Sequence, residues 1–269
     1  MRGPMKKAVT LILACLLLFS LTACTAEPGN TVSDTVFLSR DSLYSLEVEL
    51  TSGELNIYPT DGEPYVDYTI KTGGLVIGDP TVRVRQNGQK TTIDMDGFTV
   101  NFGGYFSCDM DVYIPRDAVR ELSVEMTSGD TAISDLRLRE LEISLTSGRV
   151  DAEHISADCL ELVATSGSAD ISGSFDDISV DITSGNFEIA TAILPSRIEC
   201  EATSGDIDVL IPADSSGFAL YYERTSGSIS SSFSTSGSAS ERSGALLYGD
   251  GSCVIEVDIT SGSVHIGKQ

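Results

Sequence analysis

The chain has 269 residues, with 17 Lys+Arg against 40 Asp+Glu, a formal net charge of −23, 41% hydrophobic residues and no Trp. This length allows one large all-β domain or two ordinary ones, and the apolar content exceeds that of acidic segments that fail to fold. The acid excess excludes a phosphate-reading nucleic-acid binder, which depends on clustered Lys and Arg that release counterions.

Taken from the amino terminus, Arg2, Lys6 and Lys7 precede an apolar run of 12 residues, Ala8 to Phe19. The run falls short of the roughly 20 residues that a membrane span requires and matches the h-region of a secretory signal. Leu21-Thr22-Ala23-Cys24 follows, and it resembles the lipobox of bacterial lipoproteins, in which the cysteine is acylated and becomes the mature amino terminus. The expectation is a signal peptide over residues 1–23, a lipidated start with a short tether over 24–45, and a repeat domain over 46–269. Removing the leader leaves 14 basic and 40 acidic residues, a net charge of −26. An anionic lipid surface repels that charge, so the membrane would be held through lipid on Cys24.

The triplet Thr-Ser-Gly then begins at Thr51, Thr127, Thr146, Thr165, Thr183, Thr203, Thr225, Thr235 and Thr260. From Thr127 the first five intervals are 19, 19, 18, 20 and 22, and Thr51 lies 76 before Thr127, four times 19. A near-constant period of this size indicates a repeat architecture. Upstream of each triplet the residues alternate, as in Leu46/Val48/Leu50, Leu122/Val124/Met126, Leu141/Ile143/Leu145, Leu160/Leu162/Ala164, Ile178/Val180/Ile182, Ile198/Cys200/Ala202 and Ile255/Val257/Ile259. Downstream the alternation resumes, as in Leu55/Ile57, Val150/Ala152, Phe187/Ile189 and Val264/Ile266. Alternation of this kind marks strands with one buried face.

Each unit therefore reads as strand, corner, strand, turn. The best-defined corners are Thr127-Ser128-Gly129, Thr146-Ser147-Gly148, Thr165-Ser166-Gly167, Thr183-Ser184-Gly185 and Thr203-Ser204-Gly205. Glycine supplies the positive φ that a sharp bend needs, and the hydroxyls can satisfy backbone groups that the bend exposes. Like sequence at like spacing favours coils stacked on one another over a string of hairpins. The predicted fold is all-β, a repetitive parallel β-solenoid with coils of about 19 residues. Two regions break the rhythm. Residues 58–117 lack the triplet, with Thr72-Gly73-Gly74 as a degenerate corner and Asn87-Gly88 as a hairpin signal. Residues 230–244 read as a flexible Ser/Gly-rich loop, and Arg224, at a core position, suggests a bulge or slip before Thr225.

The TSG units, together with Asp111-Val112-Tyr113-Ile114-Pro115 and Leu210-Ile211-Pro212-Ala213-Asp214, resemble a family of bacterial β-strand-repeat surface proteins labelled "putative adhesin", a domain of unknown function. The likeness covers roughly Leu46 to Ile266. It implies a cell-surface binding or structural role and supplies no catalytic residues.

Chemistry-bearing patterns are sparse. His154 lies in a turn and His265 on the outward parity, neither with an orienting partner in sequence. There is no G-x-S-x-G elbow or phosphate-binding glycine loop. Cys108, Cys159, Cys200 and Cys253 show no metal-knuckle spacing, and Cys200 sits on the core parity; whether the four form disulfides is left open. The pairs Asp94/Asp96, Asp109/Asp111 and Asp206/Asp208 each place two carboxylates on one strand face; the last two are calcium candidates, though a solvated outer face explains them as well. A Thr ladder for ice or polysaccharide is a further, weaker reading. The expectation is no catalytic residue and no cofactor beyond calcium. The partners would be the membrane, through the lipid, and an envelope protein or glycan, at the outer face of the cell membrane. The alternatives are a carbohydrate-active β-helix enzyme and an envelope-sensing module acting through a protein partner.

Overall fold

A computed structural model describes residues 29–269 except 75 and 101–103. Most of it is strand; the described residues hold one short 3-10 turn, Arg40–Ser42, and no α-helix. The alternation of the sequence is the alternation of burial. In Glu121–Ser134, for example, Leu122, Val124, Met126 and Ile133 are buried while their neighbours face solvent. Every inward apolar residue named above is buried.

Successive units pair in parallel and in register. On one side Leu46, Leu122, Leu141, Leu160, Ile178 and Ile198 lie strand beside strand. On a second side, past the corner, Ile57, Ile133, Ala152, Ile171, Ile189 and Val209 do the same. A short third side closes the coil, where Leu136 and Leu138, Ile155 and Ala157, and then Phe175 are buried, joined by an Arg137–Ser156 bridge and the Gly173–Ile155 pairing. Like sits on like, so each layer presents the next with the same shape and the interior is one continuous apolar column.

The corners explain the triplet. Gly129, Gly148, Gly167 and Gly185 have φ of 126–134°, and a Cβ on each would run into the carbonyl oxygen of the corner glycine in the layer beside it. Only glycine meets both demands, the left-handed backbone and the close approach. The serine amides of successive corners donate to the threonine carbonyl one layer away, as in Ser147 N to Thr127 O and Ser166 N to Thr146 O, both 3.0 Å. The hydroxyls of Ser166 and Ser184 add bonds to the carbonyls of Thr146 and Thr165.

Several expectations are corrected. Stacking order departs from chain order at both ends. At the far end, Cys253–Ile259 and Ser263–Lys268 lie between the layer of residues 197–211 and that of residues 217–231. At the near end, Lys90–Val100 and Tyr105–Ile114 lie outside Ser45–Pro59, which borders Glu121–Ser134 on its other side. The ends also carry antiparallel strands: Asn30–Phe37 and Tyr65–Gly73 on one side, and Val76–Asn87 paired through a tight turn at Gly88-Gln89 to Lys90–Val100.

Residues 30–45, expected as tether, are folded onto the stack, with Leu38 and Leu43 buried. Thr72 and Gly73 are ladder residues, not a corner. The supposed loop at 230–244 is mostly strand. Ser228–Ser231 joins the second side, and Ser236–Ala239 and Ser243–Gly249 form a hairpin on Gly217–Arg224, so Thr235-Ser236-Gly237 is no corner either. Arg224 sits in register opposite Ile259 without a slip. Its guanidinium donates to the carbonyls of Glu241 (2.8 Å) and Gly227 (3.0 Å), which offsets a cation at an inward position of the end layer.

Candidate functional site

The outward residues of the first side form columns across the ladder, about 4.8 Å apart. One column runs Glu47, Ser123, Glu142, Glu161, Ser179, Glu199, Glu256. The next runs Glu49, Glu125, Ser144, Val163, Asp181, Glu201, Asp258, Glu223. Interspersed Ser and Val space the charges, and a few cations bridge them. Arg197 reaches Glu199 at 2.7 Å and Glu256 at 3.1 Å, Lys90 reaches Glu47 at 2.7 Å, and Arg139 pairs with Glu121. The Lys90 hydrogen bond pulls the Glu47 carboxyl below its usual range. Among the described residues Glu49 has no such partner, and burial, with Glu47, Glu125 and Asp94 nearby, pushes it up.

At the far end the hairpin overhangs this surface and makes a cleft of about 670 Å3 lined by Glu199, Glu201, Glu223, Glu256, Asp258 and Tyr221. Tyr221 is 51% exposed there, and the neighbouring Tyr222 hydroxyl donates to Ser240 O at 3.3 Å. The carboxylates stand in ladder order instead of meeting at a point, and no three His, Cys, Asp or Glu among the described residues are grouped so as to hold a metal ion. Sequence reading missed this cleft, because it exists only once the last layer has entered its slot and the hairpin has folded back. The lone signal is the widened interval between Thr225 and Thr260.

The calcium candidates fall on the second side, far apart. Asp109 is ion-paired with Lys71 at 2.5 Å, and Asp111 accepts from Asn56 Nδ2 at 2.9 Å. Both line a cavity of about 580 Å3 with Asp34 and Asp67. Asp206 accepts from the Ser263 hydroxyl, and Asp208 follows Asp170 and Glu188 in its own column. Asp94 and Asp96 pair with Arg85 and Arg83 across the hairpin.

His154 takes φ 56°, as does Asp135 at the same repeat position, and Nδ1 lies 4.0 Å from that carboxylate. His265 gains partners the sequence did not reveal: Ser230 Oγ at 2.9 Å from Nδ1 and Ser232 Oγ at 3.0 Å from Nε2. Both ring nitrogens are thus engaged by hydroxyls, a positioning without an acid to orient the ring. Cys108, Cys159, Cys200 and Cys253 are free thiols, and burial pushes Cys108, Cys200 and Cys253 up to about 12, far from a reactive thiolate. Cys24 lies outside the described residues.

Among the described residues no helix is long and apolar enough to cross a membrane. A family model described as Toastrack DUF4097 matches residues 28–267. No curated protein matches the sequence at a significant level. Solved structures that resemble the chain include a "putative cell adhesion protein" from Clostridium sporogenes ATCC 15579 (12% identity, TM-score 0.42, 89% of this chain and 100% of that one). Others are a "putative adhesin" from Parabacteroides merdae ATCC 43184 (10%, 0.44, 88% and 96%) and a "putative lipid binding protein" from Parabacteroides distasonis ATCC 8503 (16%, 0.44, 88% and 96%). With TM-scores below 0.5, neither fold nor role is transferred from these chains.

Proposed function

The chain belongs to the Toastrack DUF4097 family, and on that premise we propose that it is an exported lipoprotein, held to the outer face of the cell membrane by acyl chains on Cys24. Its coils of about nineteen residues form one β-solenoid that presents acidic surfaces to an envelope protein or glycan, without catalysis. The observation that supports this is the pair of in-register carboxylate columns, Glu47 to Glu256 and Glu49 to Glu223. A repeating charge on a flat rigid sheet suits multivalent contact with a repeating or basic partner.

The anchor is tested with Cys24→Ser. Release of unmodified protein into the medium is expected, and retention in the membrane fraction overturns it. The binding role is tested by probing arrays of glycans and envelope proteins with the purified mature domain, with and without calcium. Saturable binding that weakens with salt is expected; turnover of an arrayed glycan instead of binding overturns the non-catalytic reading.

The cleft under the hairpin favours a second reading, a carbohydrate-active enzyme, because five carboxylates and an exposed tyrosine line one concavity. Release of reducing ends from envelope polysaccharide, lost in both Glu201→Gln and Glu256→Gln, is its test.

A further inference from the structure

The end of the stack nearest the amino terminus is built unlike the acidic faces. Its outermost strands are Asn30–Phe37 on one side and Val76–Asn87 on the other. The three most exposed large hydrophobic residues among the described residues belong to this end: Phe37 at 72%, Ile77 at 65% and Tyr105 at 54%. Val32, on the inward parity opposite Ile70, is also 49% exposed, because no further layer of the described residues covers it.

This end is itself acidic, residues 29–114 holding 13 Asp and Glu against 5 Lys and Arg, but each of its five cations is ion-paired. Arg40 pairs with Glu63, Lys71 with Asp109, Arg83 with Asp96, Arg85 with Asp94 and Lys90 with Glu47. The distance to lipid is set by chain length. Five residues separate Cys24 from Asn30, and an extended chain spans about 3.5 Å per residue, so Asn30 stays within roughly 20 Å of an acylated Cys24.

We propose that this end of the stack rests on the bilayer, with Phe37, Ile77 and Tyr105 seated at headgroup depth; the proposal rests on the lipid-anchor reading above. Aromatic and aliphatic side chains at that depth lose water contact. The outer backbone of Asn30–Phe37, which no other strand of the described residues pairs, finds water and headgroup partners there that the hydrocarbon core does not provide. Seating on this end points the long carboxylate columns away from the lipid but brings Asp34 and Asp67 near it, so the contact suits a zwitterionic surface and an anionic one opposes it.

The absence of tryptophan makes the test direct. Full-length lipoprotein carrying Phe37→Trp, Ile77→Trp or, at the opposite end, Leu247→Trp is reconstituted into phosphatidylcholine vesicles, with and without acyl-chain bromination. The mass of the purified protein reports acylation of Cys24. Blue-shifted emission that brominated lipid quenches is expected for the first two variants and not for Leu247→Trp. Acylated protein that floats with the vesicles but shows no quenching, or equal quenching at all three sites, overturns the seating and leaves the anchor intact. A blue shift that brominated lipid leaves unchanged and that grows with protein concentration assigns this end to a second copy and likewise overturns it. Protein that is neither acylated nor floated overturns the anchor and the seating together.

Discussion

Gly262 stacks on Gly205: a Cβ at Gly262 would collide with the Gly205 carbonyl oxygen, and Ser263 N donates to that same oxygen at 2.9 Å. The layer containing Gly227 comes between these two in the chain but lies beyond Gly262 in the stack, where Ser228 N donates to Gly262 O. The carboxyl-terminal layer therefore fills an interior slot. An aspartate at Val264 or Ile255, both fully buried, places an unpaired charge between two layers and should cost about 4 kcal/mol. Hydrogen exchange should show protection lost in residues 217–231 as well as in 197–211. Loss confined to the last layer would contradict the interior placement.

Gly167 combines φ 127° with a Cβ position blocked by Gly148 O, whereas Gly88 has φ 60° and nothing within 4 Å. Gly167→Ala should lose at least about 2 kcal/mol, from backbone strain and a forced separation of layers. Gly88→Ala should lose about 1 kcal/mol or less. Urea unfolding followed by circular dichroism measures both, and equal losses would remove the stacking argument.

Thr131 occupies an inward position between Leu55 and Val150. It is 2% exposed, and its hydroxyl has no hydrogen-bond partner among the described residues. The buried Thr91 and Thr191, by contrast, donate to Ser42 O and Ile193 O. Thr131→Val keeps the shape and removes the unpaired hydroxyl, so a gain of about 1 kcal/mol is expected. Thr191→Val should be destabilising.

Burial holds the thiols of Cys108, Cys200 and Cys253 at about 12, above a reference value of 9.0. Because the folded state keeps these protons longer than the unfolded state, their contribution is intact below about pH 9. It is lost as pH rises towards 12, at about 1.4 kcal/mol per pH unit for each thiol. Stability measured from pH 8 to 11 should fall, and the fall should shrink in Cys200→Ala relative to its own value at pH 8. A thiol reagent at pH 8 should modify the half-exposed Cys159 before the other three.

The raised Glu49 carboxyl gives the opposite end of the pH scale. Its folded value lies above its unfolded value, so the stabilising contribution is present at low pH and fades as pH rises through the folded value. Glu49→Gln should raise the melting temperature at pH 7 and have no such effect at pH 4.

Sequence alone determined the parts of this protein that repeat. Period-two burial fixed which residues of Leu122–Met126 or Ile178–Ile182 face inward, because one buried strand face leaves no other arrangement. The Thr-Ser-Gly triplets, Thr235 excepted, marked the corners, because at Gly129, Gly148, Gly167 and Gly185 only glycine fits both the backbone angle and the layer spacing. Tertiary structure decided what the repeat left degenerate. Layers of nearly identical shape fit one another in any order, so local pattern contains nothing to say that Ser263–Lys268 enters beside Asp206–Ile211, ahead of Ser228–Ser231. It also left unsaid that Ser236–Gly249 folds into a hairpin over the carboxylates of Glu199 and Glu256, since that cleft is made by contacts between segments that carry no mutual signal in sequence.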